Sequence, residues 1–216
     1  MLLVEDSMTH DIVTLAPDET VGTALALCRE RRIRHLPVLS EGSLVGIVSD
    51  RDLRSATPAF GDHERAAALQ EIVVDDVMAR EVISVLPDDP IEQAANTMRE
   101  RRIGCLPVVE GGELVGIITS SDVMSALVYL VGANEPGSRM EISVPDRPGS
   151  LAGAAGVFGM CGINIVSAAM GPTREPREEG AIRERVVVFR VDTIDTTEAV
   201  GYLEEAGYSV LWPPGP

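Results

Sequence analysis

A shift of 70 residues lays this chain over itself without a gap. Met8 falls on Met78, Pro17-Asp18 on Pro87-Asp88, Arg29-Glu30-Arg31-Arg32-Ile33 on Arg99-Glu100-Arg101-Arg102-Ile103, and Leu44-Val45-Gly46-Ile47 on Leu114-Val115-Gly116-Ile117. Between residues 8–53 and 78–123, 18 of 46 positions are identical. One supersecondary unit is therefore used twice, and two packed copies create a shared cleft of the kind that binds small molecules.

Each copy predicts the same order of elements. An extended run, 11–15 or 81–85, leads through Pro-Asp turn chemistry into a helix. Val21, Ala24, Leu25 and Cys28 lie at i, i+3, i+4 and i+7, and Ile91, Ala94, Ala95 and Met98 repeat that apolar stripe. Pro90 suits the first helical position, and Asp89 with Glu92 resembles a capping box. Two β runs follow, 36–39 with 44–48 and 106–109 with 114–118, each pair closed by four turn residues into a hairpin. A second helix begins near Asp50 and near Ser120, and a loop at 55–63 leads to a short helix at 64–71.

The repeat fades after about Gly132 in the turn-rich linker 133–137. Beyond it the pattern reads as strand 140–144, helix 150–160, strand 163–170, strand 185–191, helix 196–206 and strand 208–212. That order is βαββαβ, the ferredoxin-like arrangement. The segment 171–184, rich in Arg, Glu, Pro and Gly, reads as a mobile loop, and the tail 213–216 as disordered.

The formal charge of -16 repels phosphate backbones and anionic lipid, so neither nucleic acid nor a membrane surface is expected as a partner. No apolar run approaches the ~18 residues of a membrane span, and the first six residues lack the basic start of a signal peptide. Cys28, Cys105 and Cys161 lack metal-ligand spacing and read as reduced thiols. A cytoplasmic protein is the expectation.

The sharpest local signal is Gly-Ile-(Val/Ile)-(Ser/Thr)-x-x-Asp, present as residues 46–52 and 116–122. A hydroxyl and free amides at a helix N-terminus suit a phosphate, and an acid three residues on suits ribose hydroxyls. The plainer reading is that Ser49 and Thr119 cap helices and Asp52 and Asp122 add favourable charge in the first turn. Residues 1–132 resemble a tandem CBS pair, or Bateman module, with one motif and its linker at 1–70 and the second at 71–132. That resemblance implies phosphate contacts from Ser49 and Thr119 and ribose contacts from Asp52 and Asp122. It places an adenine base against the opening and Leu-Pro-Val strands, around Ile12, Val13, Thr14 and Pro37, and Val82, Ile83, Ser84 and Pro107. The first copy has Arg34-His35 and Arg51 where the second has Gly104-Cys105 and Ser121, so a phosphate-rich ligand is expected at a site built mainly on the first repeat. Arg31, Arg32, Arg101 and Arg102 read instead as solvated helix ends.

Asp146-Arg147-Pro148-Gly149-Ser150-Leu151, followed by Gly162-Ile163-Asn164-Ile165, looks like an ACT domain over 138–212. The resemblance implies a small effector, often an amino acid, near Asp146, Gly149, Leu151 and Asn164 at an interface between paired domains. The fold class expected is thus α+β: a tandem CBS-domain pair followed by a ferredoxin-like βαββαβ ACT domain.

His10, His35 and His63 show no metal spacing, and neither a P-loop nor a Gly-x-Ser-x-Gly elbow is present, so an enzyme is disfavoured and no catalytic cofactor or metal is expected. The expected function is ligand sensing, with AMP, ADP, ATP or S-adenosylmethionine as effector. The rival is a structural dimerisation protein with empty sites. The whole arrangement resembles the acetoin-utilisation AcuB family, which implies a homodimer formed through both modules, a regulated metabolic enzyme as partner, and a link to acetoin or acetate metabolism.

Overall fold

The computed structural model describes residues 2–57, 62–174 and 182–213. The chain forms two bodies, Met1–Met124 and Ser125–Pro216. In the first, the 70-residue repeat is a repeat of structure. Helices α1 (Val21–Arg31) and α4 (Ile91–Arg101) bury Val21, Ala24 and Cys28 and their counterparts Ile91, Ala94 and Met98. Both helices stop the same way, with Arg32 (φ 55) and Arg102 (φ 56) in the left-handed region, their N–H groups donating to the carbonyls of Cys28 and Met98.

Hairpins β1 (His35–Ser40)/β2 (Ser43–Ser49) and β3 (Cys105–Glu110)/β4 (Glu113–Thr119) follow. Val38 pairs with Gly46 and Val108 with Gly116, and each ladder slips at the next residue, so the register itself repeats. The turns carry two consecutive positive φ angles, Glu41-Gly42 and Gly111-Gly112, as a type I′ turn requires. The second helices are α2 (Asp50–Ser55) and α5 (Ser120–Leu130), with α3 (Asp62–Glu71) between the repeats. Gly22 lets α3 approach α1, since a Cβ there would collide with the Leu69 carbonyl oxygen.

The two repeats exchange their leading segments. The Thr9 and Ile117 backbones hydrogen-bond in both directions (2.9 and 3.0 Å), as do those of Ala79 and Ile47 (2.9 and 3.0 Å). Val4 donates to the Asp89 carbonyl, and Val74 to that of Glu19. Met8 lies against Gly116 and Met78 against Gly46, where a Cβ on either glycine would collide with the thioether. Val74 and Met78 thus complete the core of Leu15, Val21, Leu36, Val38 and Leu53 in the other copy.

The runs 11–15 and 81–85 are extended, but they pair at single points only, Leu15 with Val38 and Val85 with Val108. Pro90 is the N-cap of α4 rather than its first residue, and Asp89 folds back to accept from the Leu86 amide (2.8 Å), so no capping box forms with Glu92. The 55–63 loop falls partly outside the described residues.

In the second body β5 (Ser138–Pro145), β6 (Ile165–Arg174), β7 (Glu184–Val191) and β8 (Ser209–Trp212) form an antiparallel sheet in the order β6-β7-β5-β8, with α6 (Ser150–Met160) and α7 (Thr197–Glu205) in the crossovers. Alternate strand residues Met140, Ile142, Val144, Val187, Phe189 and Val191 meet Ala154, Val157, Phe158, Ala199 and Leu203. The Phe158 and Phe189 rings sit 5.1 Å apart at 57°. Residues 171–174, expected in a loop, extend β6, because Thr173 and Arg174 pair with Arg185 and Glu184; residues 175–181 lie outside the described residues. The boundary between the bodies falls inside α5, as Ser167 and Arg190 donate to the Val131 and Glu135 carbonyls just beyond it.

Candidate functional site

Each Ser/Thr-x-x-Asp motif sits where a hairpin's last strand turns into a helix. Ser49 caps α2: its hydroxyl accepts from the Asp52 amide (3.2 Å), and Asp52 Oδ2 accepts from the Ser49 amide (3.0 Å) and hydroxyl (2.5 Å). At Thr119 and Asp122 the two bonds to the carboxylate recur, from the Thr119 amide and hydroxyl to Asp122 Oδ2, each at 2.7 Å. One oxygen of each carboxylate therefore fixes the turn. The turn uses Oδ2 alone, so it fixes the carboxylate while leaving Oδ1 outside these bonds as a further acceptor.

The exchanged leaders decide what faces each motif. A cavity of about 430 Å³ is lined by Thr119 and Asp122 of the second repeat together with Asp11, Ile12, Val13, Arg32, Arg34 and His35 of the first. A second, of about 770 Å³, is lined by Ser49, Arg51 and Asp52 of the first repeat and Glu81, Val82, Ile83, Arg102, Cys105 and Pro107 of the second, with Arg34 and His35 again at its wall. Both volumes suit a ligand of nucleotide size. Thr14, Ser84 and Pro37 line neither cavity. Arg51 does not share a site built mainly on its own repeat, since the cavity that contains it is walled by both copies.

The motif spacing does not reveal Arg32 and Arg102, which line one cavity each. The left-handed turn that ends each helix places them there, and the identical Arg-Arg-Ile in both copies was the available sign. Burial, followed by the nearby Arg34 charge, holds the His35 imidazole below its ordinary pKa, partly offset by Asp52. Burial pushes the Cys105 thiol up to about 12, and that of core Cys28, helped by Asp50, up to about 11, so both stay protonated.

In the second body, Asp146 is already engaged. Arg185 donates to both its carboxylate oxygens (3.1 and 3.4 Å), and Thr173 donates to Oδ2 (3.3 Å). Gly149 (φ 88) sets the turn into α6, and Leu151 is partly exposed in its first turn. Asn164 lies past the other end of α6, its amide donating to Asp192 (3.0 Å) and its carbonyl accepting from the Asp192 amide (3.1 Å). Eleven helical residues at ~1.5 Å each put about 16 Å between the two groups. Among the described residues no cluster of His, Cys, Asp or Glu suits a metal ion, and no helix is long and apolar enough to cross a membrane.

Two copies of one unit, each completing the other's cleft, followed by an antiparallel βαββαβ domain, define a tandem small-molecule-binding module joined to a second, ferredoxin-like module. The CBS domain profile matches residues 4–58 and 74–129, and the chain belongs to that family; the ACT domain profile matches 138–207. The CBS domain-containing protein YhcV of Bacillus subtilis is 32% identical over 57% of this chain and 84% of its own length. A homoserine O-acetyltransferase of Methanococcoides burtonii is 37% identical over 56% of this chain, but only 23% of the enzyme is covered. Among solved structures, the putative acetoin utilization protein (AcuB) of Vibrio cholerae shares 38% identity, covering 62% of this chain and 96% of that one (TM-score 0.53). The CBS pair of MJ0100 in complex with 5′-methylthioadenosine and S-adenosyl-L-methionine shares 28% (59% and 96%, TM-score 0.51), and CBSX2 in complex with AMP shares 31% (60% and 98%, TM-score 0.51).

Proposed function

We propose that this chain is a non-catalytic ligand-sensing regulator whose tandem pair binds adenine nucleotides. The observation that carries this reading is the crossed pair of cavities, each joining a capped Ser/Thr-x-x-Asp turn to the extended backbone of the other repeat. The Ser49 or Thr119 turn faces a phosphate, Oδ1 of Asp52 or Asp122 accepts from ribose hydroxyls, and Ile12-Val13 or Val82-Ile83 lie along the base. The adenine ligands of the MJ0100 and CBSX2 pairs support the same class here, and the AcuB relative supports a role in acetoin utilisation. Edge strands β6 and β8 support pairing of two C-terminal domains. An amino acid touching both Asp146 or Gly149 and Asn164 needs that pairing, because one chain holds them at opposite ends of α6. Regulation follows only if the ligand prefers one arrangement of the dimer.

A thermal-shift panel of AMP, ADP, ATP and S-adenosylmethionine tests the reading. At ~100 times its dissociation constant a ligand adds about 2.7 kcal/mol, and Asp52→Ala and Asp122→Ala each remove the contribution of their own cavity. Because the same Asp residues close capping turns, silence across the whole panel in the unmutated chain favours a structural pair with empty sites.

A further inference from the structure

Both cavities end at one wall. Arg34 and His35 line each of them, whereas the 70-related residues are Gly104 and Cys105. Gly104 makes this possible: a Cβ there would lie 3.1 Å from Cε1 and Nε2 of His35, so the imidazole fills the space of the missing side chain. The wall is tied to both motifs, since the Arg34 carbonyl accepts from the Asp50 amide (2.9 Å) and the Gly104 carbonyl from that of Ser120 (3.0 Å). No carboxylate among the described residues forms an ion pair with Arg34.

Without Arg34, the smaller cavity sets Arg32 against Asp11 and Asp122. The larger keeps Arg51 and Arg102 against Asp52 and Glu81, its Asp50 being paired with Arg54 at 2.8 Å. Arg34 thus brings the lining charges of the smaller cavity into balance and gives the larger an excess of one cation. A phosphate carries about -1.5 to -2 charges. The first phosphate to engage Arg34 neutralises it and leaves its own charge beside the second cavity.

We infer that the two cavities compete for one shared cation, Arg34, so that the pair holds one phosphate-bearing adenine ligand, in the larger cavity, and one uncharged adenine ligand in the smaller. This rests on the nucleotide reading above and specifies which ligand class each cavity takes.

Isothermal titration of the full chain with AMP and with adenosine tests it. Asp122→Ala and Asp52→Ala each leave one cavity intact and give its affinity alone. For independent cavities, the product of the two stepwise association constants of the unmutated chain equals the product of the single-cavity constants. With AMP we expect the stepwise product to fall at least about tenfold short, with adenosine to agree within about twofold, and in Arg34→Ala the AMP deficit to vanish; Arg34→Lys retains it. Equality for AMP in the unmutated chain overturns the competition while leaving the nucleotide reading intact. A deficit that persists with adenosine, or in Arg34→Ala, replaces the shared cation with steric overlap. Absence of AMP binding overturns this inference, and the nucleotide reading falls with it only if ADP, ATP and S-adenosylmethionine are silent as well.

Discussion

The two bodies of the chain solve the same problem differently. In the first, exchanged leaders bring each capped motif and the opposing backbone together, so both cavities are complete within one chain. In the second, a single copy of each element leaves Asp146 and Asn164 at the two ends of α6, with Asp146 paired to Arg185. Internal duplication does within the first body what pairing of chains would have to do for the second.

The sharpest way to break this comparison is to damage one body and read the other. Phe158→Ala removes a fully buried ring from the C-terminal core and is expected to cost about 3–5 kcal/mol, lowering the C-terminal melting transition while AMP affinity at the tandem pair stays within about twofold. A transition that takes nucleotide binding down with it would show that the bodies are not separate.

Next in size, Gly46→Ala and Gly116→Ala force Met78 and Met8 off their seats, each costing about 1–3 kcal/mol as overpacking does. Chemical denaturation should give similar losses for the two, because the contacts are related by the repeat. A large effect at one glycine only would mean that the exchange matters more on one side.

His35 separates the halves by pH. Its folded pKa lies below the unfolded 6.5, so its neutral form contributes stability that is fully present above about pH 6.5 and is lost as pH falls through the folded value. Denaturation curves should therefore show a loss of stability on acidification below pH 6.5 that His35→Gln reduces. Cys105, at the matching position, stays protonated throughout that range and contributes no such slope.

The smallest effect is expected at the hairpin turns. Glu41 occupies a left-handed position that the second copy fills with Gly111. Glu41→Gly should stabilise the first hairpin by up to about 1 kcal/mol, visible as a small rise in melting temperature, whereas Gly111→Glu should do the reverse.

Much of this was legible because it is local. The stripes at Val21 and Ile91, the Glu41-Gly42 turn and the Ser49 and Thr119 caps follow from neighbours a few residues apart. What stayed hidden is long-range. A 70-residue shift is satisfied equally by a leader that packs on its own repeat and by one that crosses over, so the identity of Met8 with Met78 and of Gly46 with Gly116 did not show that each methionine meets the other copy's glycine. Hence the partition of Arg51 and Ser49 from Ile12 was not visible either. Arg32 and Arg102 are the exposed helix ends that were expected, but that each also lines a cavity follows from a left-handed backbone, which has no composition signal. The Asp146–Arg185 pair joins positions 39 apart with no periodicity to mark it.

The exchange also sets an order in time. Thr9 must wait for Ile117, 108 residues later in the chain, which at about 5–20 residues per second of synthesis is a delay of roughly 5–20 s. Val4 has no seat until Asp89 has emerged and Met8 none until Gly116 has, and the first repeat can assemble its own core only after residues 72–79 have emerged. Neither repeat is thus a finished product of translation by itself; the pair closes as one event near the end of its synthesis.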